Sequence, residues 1–324
     1  MNERTTKWAI LGPGKIAKKF ATGLKYVEGA ELYAVASRSK ERADAFAEEF
    51  NATNAYYSYT DMLKDEKVDV VYIATPHVFH FDNTILCLEH GKAVLCEKPF
   101  AMDTAQVKEM IGLAREKKIF LMEALWTQFL PHFQFVMDLL KTEKYGKLKK
   151  IKADFGFHSP FNEDHRLYNK ALGGGSLLDI GIYPVFTALN AIGIPDEISA
   201  KAKLTTTEVD EECEIFFTFK NGVEAELHST VGRETPTTAT FFCENAEITM
   251  NSRFHEPTSV SISTKDGIET KDFNVTSNGY NFEAAHVQEM LKQGRTESDQ
   301  MTFEKSLQLI GLLDEVRKKI NLVY

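Results

Sequence analysis

The chain has 324 residues, of which 43% are hydrophobic and 26% are charged, and it carries a net charge of −9 at neutral pH. Such values are typical of an ordinary globular protein, and the acidic balance argues against binding to nucleic acid or to an anionic membrane surface. Four widely spaced cysteines, a polar N-terminus and the lack of a long uninterrupted apolar run predict a cytoplasmic protein without disulfides or a zinc site.

Short apolar runs alternate with helical patterns over the first part of the chain. The runs predicted as strands are residues 8–11, 30–36, 68–74, 93–96 and 120–123. Alternation of this kind predicts a parallel sheet with right-handed crossovers. Gly91 is predicted to end the helix that precedes the fourth of these strands.

Beyond about residue 131 the pattern changes to one helix followed by runs that alternate with period two. These runs are residues 149–157, 212–220, 223–229, 238–243 and 260–264. They predict an antiparallel sheet with one solvated face, and Asn221-Gly222 predicts a type I′ hairpin between two of its strands. A last helix is predicted over residues 301–320.

The predicted fold class is therefore α/β, with two domains. Residues 1–125 form an N-terminal dinucleotide-binding domain with a parallel sheet. Residues 126–324 are predicted to form a C-terminal α+β domain with a large open, mostly antiparallel sheet.

A glycine-rich loop follows the first predicted strand. Gly12 and Gly14 belong to a Gly-x-Gly-x-x-Ala pattern in which the first glycine permits a tight turn and the second lets the backbone approach a pyrophosphate. Lys15 and Ile16 begin the helix whose N-terminus would face that anion. The alternative is a plain turn from strand to helix.

The end of the second strand predicts which cofactor is bound. An acidic residue there would accept hydrogen bonds from the adenosine ribose, and this chain has none. It has Ser37 and Arg38, whose hydroxyl and guanidinium groups can hold a 2′-phosphate. We therefore predict NADP(H) rather than NAD(H), with a solvated basic helix start as the alternative.

Two further strand ends carry polar residues. Thr75, Pro76, His77 and His80 follow the strand at residues 68–74, and Glu97 and Lys98 follow the strand at residues 93–96. Ligands of open α/β sheets bind at this edge, so these six residues are predicted to contact the cofactor. The histidines lack further ligands at metal-binding spacing, and no metal site is predicted.

Lys98 is also a catalytic candidate. A lysine at this edge can hold the nicotinamide ribose and the substrate hydroxyl, and its charge would lower the pKa of a neighbouring acid or phenol. The following Pro99 is predicted to be cis. A solvated surface charge is the alternative.

A third motif runs Gly-Gly-Gly-Ser-Leu-Leu-Asp-Ile-Gly-Ile-Tyr-Pro over residues 173–184. Asp179 and Tyr183 are four residues apart and share one face of a helix, so both can meet a substrate. In the alternative, Asp179 merely stabilises the N-terminal turn of that helix.

Together the Gly-x-Gly-x-x-Ala loop, the Glu-Lys-Pro motif and this glycine-rich motif resemble the glucose-fructose oxidoreductase / inositol dehydrogenase / MocA family over nearly the whole chain. Residues 122–131 and 179–184 are similar to its branch of dimeric dihydrodiol dehydrogenases and NADP-dependent D-xylose dehydrogenases. Gln128 departs from that branch, which commonly has arginine at this position.

The resemblance implies a Rossmann domain followed by a domain whose open sheet makes a homodimer or higher homo-oligomer. It implies that Lys98 and Tyr183 are the acid/base pair and that Asp179 orients the substrate. Trp126 and Phe155 would be walls of the substrate pocket. Their aromatic faces suit a small molecule such as a sugar or a cyclic vicinal diol.

The resulting hypothesis is that Tyr183 exchanges a proton with the substrate while a hydride moves between the substrate carbon and NADP(H). A reductase of an oxo sugar or dicarbonyl is a second possibility, because the sequence does not give the direction. A catalytically silent NADP(H) sensor is a third. The sensor predicts a damaged acid/base set, whereas Lys98, Asp179 and Tyr183 are all present.

Overall fold

The computed structural model describes residues 5–324, which divide into two compact units. Unit 1 comprises residues 5–126 and Thr276–Leu307. Unit 2 comprises Thr127–Val275 and Gln308–Tyr324.

Unit 1 alternates strands and helices, as the sequence predicts. Its strands are β1 (Thr6–Leu11), β2 (Ala30–Ala36), β3 (Asn54–Tyr56), β4 (Val70–Ile73), β5 (Ala93–Glu97) and β6 (Leu121–Ala124). Its helices up to β6 are α1 (Lys15–Leu24), α2 (Lys40–Phe50), α3 (Tyr59–Leu63), α4 (His80–Glu89) and α5 (Thr104–Lys117).

The strands of unit 1 form a parallel sheet in the order β3-β2-β1-β4-β5-β6. Strands β4 and β5 are buried along their whole length, which is why they read as continuous apolar runs rather than as alternating ones. Gly91 has φ +75° and donates its N–H to the Leu88 carbonyl at 3.0 Å, so the predicted helix end is confirmed. The carboxyl ends of β1, β2, β4 and β5 carry the predicted cofactor residues.

A late segment of the chain belongs to unit 1, although the sequence places residues 126–324 together in the second domain. Helix α8 (Tyr280–Lys292) packs on α1, where Gly23 leaves room for the side chain of Tyr280 and the backbone of Asn281. Trp8 Nε1 donates to Gln288 Oε1 at 3.1 Å. Glu297 forms a bridge to Leu121 at the edge strand β6. These contacts are long-range, so the local pattern of the sequence does not reveal them.

Unit 2 contains the large sheet and the helix that carries the candidate catalytic residues. Its helices are α6 (Pro131–Lys141) and α7 (Ile182–Ile192), and α9 (Phe303–Lys319) begins in unit 1 and ends in unit 2. Its strands are β7 (Leu148–Gly156), β8 (Glu197–Leu204), β9 (Asp210–Thr218), β10 (Glu224–Thr230), β11 (Ala239–Cys243), β12 (Glu247–Met250), β13 (Val260–Thr264) and β14 (Gly267–Lys271).

The strand order is β14-β13-β12-β11-β7-β10-β9-β8, and every neighbouring pair is antiparallel except β7 with β10. Residues of β9 and β10 alternate between buried and more exposed positions, because α7 covers one face of the sheet. The stretch Lys170–Ile192 matches a membrane helix in length and composition, but 94% of its most apolar window is buried inside the protein, as in a core helix.

The hairpin between β9 and β10 is confirmed, but its predicted turn type is wrong. Gly222 has φ +82°, whereas Asn221 does not adopt a positive φ. Gly222 N donates to the Phe219 carbonyl at 2.9 Å, and Phe219 N donates to the Val223 carbonyl at 3.1 Å. The loop therefore has three residues with glycine in the left-handed position, which needs only one residue with positive φ.

Candidate active site

The turn after β1 presents backbone groups to solvent. Gly12 has φ +94°, and a Cβ on it would lie 2.9 Å from Thr75 Cγ2, so this position requires glycine. Gly14 begins α1 and has open space beside it, with only the Ala74 carbonyl oxygen at 3.9 Å from an added Cβ. Lys15 is exposed and Ile16 is half-buried. No acidic residue occupies the first turn of α1, so its free N–H groups suit a pyrophosphate.

The end of β2 leads to several exposed cations, of which Arg38 comes first. Arg38 is exposed, and its guanidinium carbon lies 5.8 Å from the centre of the Phe79 ring. Ser37 is buried, and its hydroxyl accepts the Ser39 N–H at 3.1 Å. Lys40 is held by Asp44 at 2.9 Å and by Tyr57 at 2.7 Å. Arg38 is thus the cation at this strand end that best fits a 2′-phosphate.

His80 links the turns that follow β4 and β5. Its Nδ1 lies 2.8 Å from the Pro99 carbonyl oxygen, and its Nε2 lies 2.8 Å from the Thr75 carbonyl oxygen. Burial lowers the pKa of His80, and a neutral imidazole donates to only one of these carbonyls at a time. The His80 ring therefore links the Thr75-Pro76 turn to the Lys98-Pro99 turn through its two nitrogen atoms. His77 is also buried, and its ring lies 6.0 Å from that of His80.

The buried carboxylate of Glu97 stabilises the Glu97-Lys98-Pro99 turn. The Lys98–Pro99 peptide bond is cis, as predicted. Glu97 is buried; it accepts a hydrogen bond from the Tyr72 hydroxyl and one from the Lys98 N–H at 3.2 Å. The Glu97 side chain therefore faces the core of unit 1, and its predicted contact with the cofactor stays a prediction.

Two further buried carboxyls lie near this turn, and the sequence reasoning missed both. Glu123 at the end of β6 accepts the Phe100 N–H at 3.1 Å, and burial raises its pKa to about 7. Glu283 on α8 is fully buried without a hydrogen-bond partner among the described residues, and burial followed by the charge of Glu97 raises its pKa well above the usual value. Glu123 can therefore hold a proton at neutral pH.

Asp179 forms an ion pair within unit 2. The Arg166 guanidinium donates to both of its carboxylate oxygens, at 2.9 Å and 3.2 Å. The Asp179 side chain is 10% exposed and that of Arg166 is 46% exposed. Arg166 therefore fixes the Asp179 carboxylate, which also belongs to the first turn of the helical segment that leads into α7.

A second carboxylate at the start of this helical segment, Asp210, accepts hydrogen bonds from it, and sequence reasoning missed it. Its Oδ2 accepts the Leu177 N–H at 2.6 Å and the Ser176 hydroxyl at 2.7 Å. Gly175, with φ +115°, leaves space for it, since a Cβ there would lie 2.1 Å from Asp210 Oδ1. A π-helical turn, Leu177–Gly181, then leads into α7. The space beside Gly175 is therefore filled by the Asp210 carboxylate and not by a ligand.

Tyr183 lies on α7, one turn after Asp179, in an aromatic cluster. It is 5% exposed, and its ring centre is 5.7 Å from that of Phe155 and 5.2 Å from that of His255. The predicted pocket residues Phe155 and Tyr183 are therefore neighbours. His255 was missed, although the Arg-Phe-His-Glu sequence at residues 253–256 offered a signal, since charged residues surround an imidazole there.

The remaining predicted pocket wall, Trp126, belongs to unit 1. It is 3% exposed and stacks on the ring of Tyr280, with ring centres 4.1 Å apart. Gln128, where the branch commonly has arginine, is buried in unit 2.

Among residues 5–324, no group of three histidine, cysteine or acidic side chains is arranged to hold a metal ion.

Comparison with known proteins identifies the family of the chain. Residues 6–125 match the model of an oxidoreductase family with an NAD-binding Rossmann fold, and residues 133–249 match the GFO/IDH/MocA C-terminal domain.

Several relatives match along nearly their whole length. The chain is 35% identical to trans-1,2-dihydrobenzene-1,2-diol dehydrogenase of Xenopus tropicalis, covering 98% of this chain and 99% of that protein. It is 32% identical to scyllo-inositol 2-dehydrogenase (NADP(+)) of Bacillus subtilis, covering 98% of both. A 3-ketoreductase from Actinomadura kijaniata, solved with NADP, is 26% identical and superposes with a TM-score of 0.89 over 98% of both chains.

These relatives are dehydrogenases and ketoreductases, and the family models cover both the parallel-sheet unit and most of the large sheet. The chain is an oxidoreductase of the glucose-fructose oxidoreductase / inositol dehydrogenase / MocA family.

Proposed function

We propose that this protein is an NADP(H)-dependent oxidoreductase that moves a hydride between the cofactor and a hydroxyl or carbonyl carbon of a sugar or cyclic vicinal diol. The observation that carries the proposal is the position of Tyr183. This tyrosine is buried beside the aromatic ring of Phe155, one helical turn after the ion-paired Asp179. A proton-exchanging phenol, a carboxylate and a flat apolar wall suit a substrate with hydroxyl groups and a C–H face.

The preference for NADP(H) rests on Arg38. Arg38 is exposed at the end of β2, and neither Ser37 nor Arg38 at that strand end is acidic, so the position that would select NAD carries no carboxylate. The open N-terminus of α1 at Gly14 supplies N–H donors for the pyrophosphate. The NADP named for the inositol dehydrogenase and bound to the ketoreductase supports the same choice.

In the proposed chemistry, Tyr183 exchanges the proton of the substrate hydroxyl. Lys98 is the second member of the proposed acid/base pair. Asp179 orients a second hydroxyl, with Arg166 fixing its carboxylate. The bound nicotinamide supplies or accepts the hydride. Structures of the related ketoreductase include variants in which one lysine or one tyrosine is replaced, which supports a role for this pair.

Assembly and location are proposed on separate observations. The uncovered face of the large sheet presents Phe216 and Phe242 among charged side chains, so we propose that two copies pair through this face. Cys87, Cys96 and Cys213 are buried free thiols, which fits a reducing, cytoplasmic environment.

A reductase of an oxo sugar or dicarbonyl is the second candidate. The likeness to a 3-ketoreductase favours it, because carbonyl reduction is the reverse of the same hydride transfer. A non-catalytic NADP(H) sensor is the alternative outside enzymes.

The test is to follow nicotinamide absorbance with NADP and with NAD against aldoses, inositols, cyclic trans-diols and, in reverse, dicarbonyls. Tyr183→Phe should reduce turnover by about 10²–10⁴-fold, the usual contribution of a positioned acid/base group. Lys98→Met should also reduce it strongly.

Tyr33→Phe is the matched control, because it removes another buried hydroxyl, one that donates to Asp65 at 2.8 Å in unit 1. Near wild-type turnover in Tyr183→Phe would reject the acid/base assignment. Cofactor binding without turnover on any substrate would favour the sensor.

A further inference from the structure

The segment that follows helix α9 packs against unit 2 and fixes the position of Tyr324. Leu322 is buried, and its N–H donates to the Arg317 carbonyl at 2.9 Å. The Arg317 guanidinium carbon lies 5.5 Å from the centre of the Tyr324 ring, and Arg317 is ion-paired with Asp314. The half-buried ring of Tyr324 is therefore held by the end of α9.

The hydroxyl of Tyr324 donates to the Gly174 carbonyl at 2.6 Å. Burial of the phenol, followed by the nearby charge of Asp210, raises the pKa of Tyr324 well above its usual value. The hydroxyl therefore keeps its proton at neutral pH. Tyr324 is thus a constant hydrogen-bond donor to the glycine-rich segment that precedes the candidate catalytic helix.

Gly174 lies directly against the loop that carries Arg166. Its N–H donates to the Asn169 carbonyl at 3.0 Å, and the N–H of Gly175 donates to the Leu167 carbonyl at 2.8 Å. A Cβ on Gly174 would lie 2.8 Å from the carbonyl oxygens of both Arg166 and Leu167, so no space remains between the two segments. A displacement of Gly174 would therefore displace the Arg166 loop as well.

Arg166 connects this loop to the candidate active site. Its guanidinium donates to both carboxylate oxygens of Asp179, at 2.9 Å and 3.2 Å, and Asp179 lies one helical turn before Tyr183. A bidentate pair depends on the orientation of both groups, so a small rotation of the guanidinium weakens at least one of its two hydrogen bonds. A continuous path of contacts therefore runs from Tyr324 through Gly174 and the Arg166 loop to Asp179.

We propose that Tyr324 is a positioning residue of the candidate active site, which holds Gly174 and the Arg166 loop so that the Asp179 carboxylate meets the substrate in a fixed orientation. The inference rests on the proposed function, because it takes Asp179 as the group that orients a substrate hydroxyl. Tyr324 acts only through other residues. It lies 150 positions after Gly174, and no local sequence pattern links the two.

The test compares Tyr324→Phe with wild type on the substrate that gives the highest turnover in the panel above. The phenyl ring stays beside Arg317, so only the hydroxyl is lost. We expect kcat/KM for this substrate to fall by about 3–10-fold, the value of one lost hydrogen bond. Tyr33→Phe, which removes a hydroxyl that donates to Asp65 at 2.8 Å in unit 1, is the matched control and should leave kcat/KM unchanged. An unchanged kcat/KM in Tyr324→Phe would overturn the proposal.

A double-mutant cycle separates positioning from general support of the fold. Arg166→Lys keeps the positive charge but loses the planar fork that donates to both oxygens of Asp179. If Tyr324 acts through Arg166, Tyr324→Phe should lower kcat/KM by less than about twofold in the Arg166→Lys background, while its effect on the urea midpoint stays the same in both backgrounds. An equal fall of kcat/KM in both backgrounds would mean that Tyr324 only supports the structure. That result, or wild-type kcat/KM in Arg166→Lys, overturns the proposal.

Amide hydrogen exchange tests the same path of contacts without turnover. Tyr324→Phe should speed exchange of the Gly174 and Gly175 amides by about tenfold and leave exchange in α1 unchanged. Unchanged exchange at both glycines would overturn the proposal. If wild type turns over substrate, Tyr183→Phe does not, and Tyr324→Phe behaves as wild type, only the inference about Tyr324 fails. If wild type turns over no substrate of the panel, the proposed function fails, and the positioning role fails with it.

Discussion

The two glycine-bearing turns that precede α1 and α7 use glycine for opposite purposes. Beside Gly14 there is open space, and the N–H groups of the helix start remain available. Beside Gly175 the space is filled by the carboxylate of Asp210, which takes the helix-start donors for itself. The first turn is built to receive a ligand, and the second is built to fix a helix that carries reactive side chains.

A buried carboxyl accepts a backbone N–H near each catalytic candidate. Glu123 accepts the N–H of Phe100, two residues after Lys98, and Asp210 accepts that of Leu177, six residues before Tyr183. Carboxyls that fix backbone in this way hold reactive residues in place without contacting a substrate. Substitutions at the two turns should therefore differ in their effects on stability and on cofactor binding.

The largest effect is expected for Gly175→Ala. The new Cβ would lie 2.1 Å from Asp210 Oδ1, at a φ of +115° that L-residues rarely adopt. We expect the free energy of unfolding to fall by about 4 kcal/mol, the sum of overpacking and backbone strain. Urea denaturation measures this free energy. A loss below about 1 kcal/mol would contradict the conclusion that Asp210 fills the space beside Gly175.

The second prediction concerns pH. The pKa of Glu123 is about 7 in the folded protein and near 4.5 when unfolded, so between these values the folded state holds a proton that the unfolded state has lost. The contribution of Glu123 to stability is therefore full below about pH 4.5 and falls as pH rises through 7, by about 3 kcal/mol.

Glu123→Gln keeps an oxygen acceptor for Phe100 and cannot ionise. We expect the loss of stability between pH 5 and pH 8, measured by urea denaturation, to be smaller in this variant than in wild type. Glu244→Gln, a change of an exposed carboxylate paired with Lys149, is the control. An equal pH dependence in wild type and Glu123→Gln would show that Glu123 does not bind the proton.

The third prediction separates the two components of the effect at Gly175. Asp210→Ala should cost about 2 kcal/mol, because the buried Leu177 N–H and Ser176 hydroxyl lose their acceptor. In the Asp210→Ala background, Gly175→Ala should cost clearly less than alone, since only the backbone strain remains. Additive costs in this double-mutant cycle would show that the new Cβ of Gly175→Ala does not clash with Asp210.

The fourth prediction concerns cofactor choice. Arg38→Ala should weaken NADP binding by about 10–100-fold and leave NAD binding nearly unchanged, because only NADP carries the phosphate that the guanidinium would bind. Fluorescence titration measures both affinities. Lys40→Ala is the matched control, because Asp44 and Tyr57 already hold that ammonium group. Similar losses for NADP and NAD would reject the assignment of Arg38.

The smallest effect on stability is expected for Gly14→Ala. Its Cβ would meet only the Ala74 carbonyl oxygen at 3.9 Å, so unfolding should change by less than about 0.5 kcal/mol. Cofactor affinity should nevertheless fall, since the methyl group would occupy the space left for the pyrophosphate. A stability loss as large as that of Gly175→Ala would remove the distinction between the two turns.

The sequence predicted those parts of the fold and site that depend on local patterns. Strand–helix alternation, the Gly12 turn and the position of Lys98 at a strand end are read from neighbouring residues. Asp210 lies 33 residues from the N–H it binds, so no local pattern links them. Glu123 and Glu283 contradict the rule that acidic residues lie at the surface, and only tertiary contacts reveal them.

The bridge between Glu297 and Leu121 has a consequence for biosynthesis. The edge strand β6 and the surface of α1 are completed by residues near the end of the chain, through Glu297 and through helix α8. The ribosome synthesises the whole of the large sheet before it reaches these residues. The edge of β6 therefore stays uncovered by these residues while about 170 further residues are made, at roughly 5–20 residues per second. During translation, chaperones or rapid synthesis must keep this exposed strand edge from pairing with other chains.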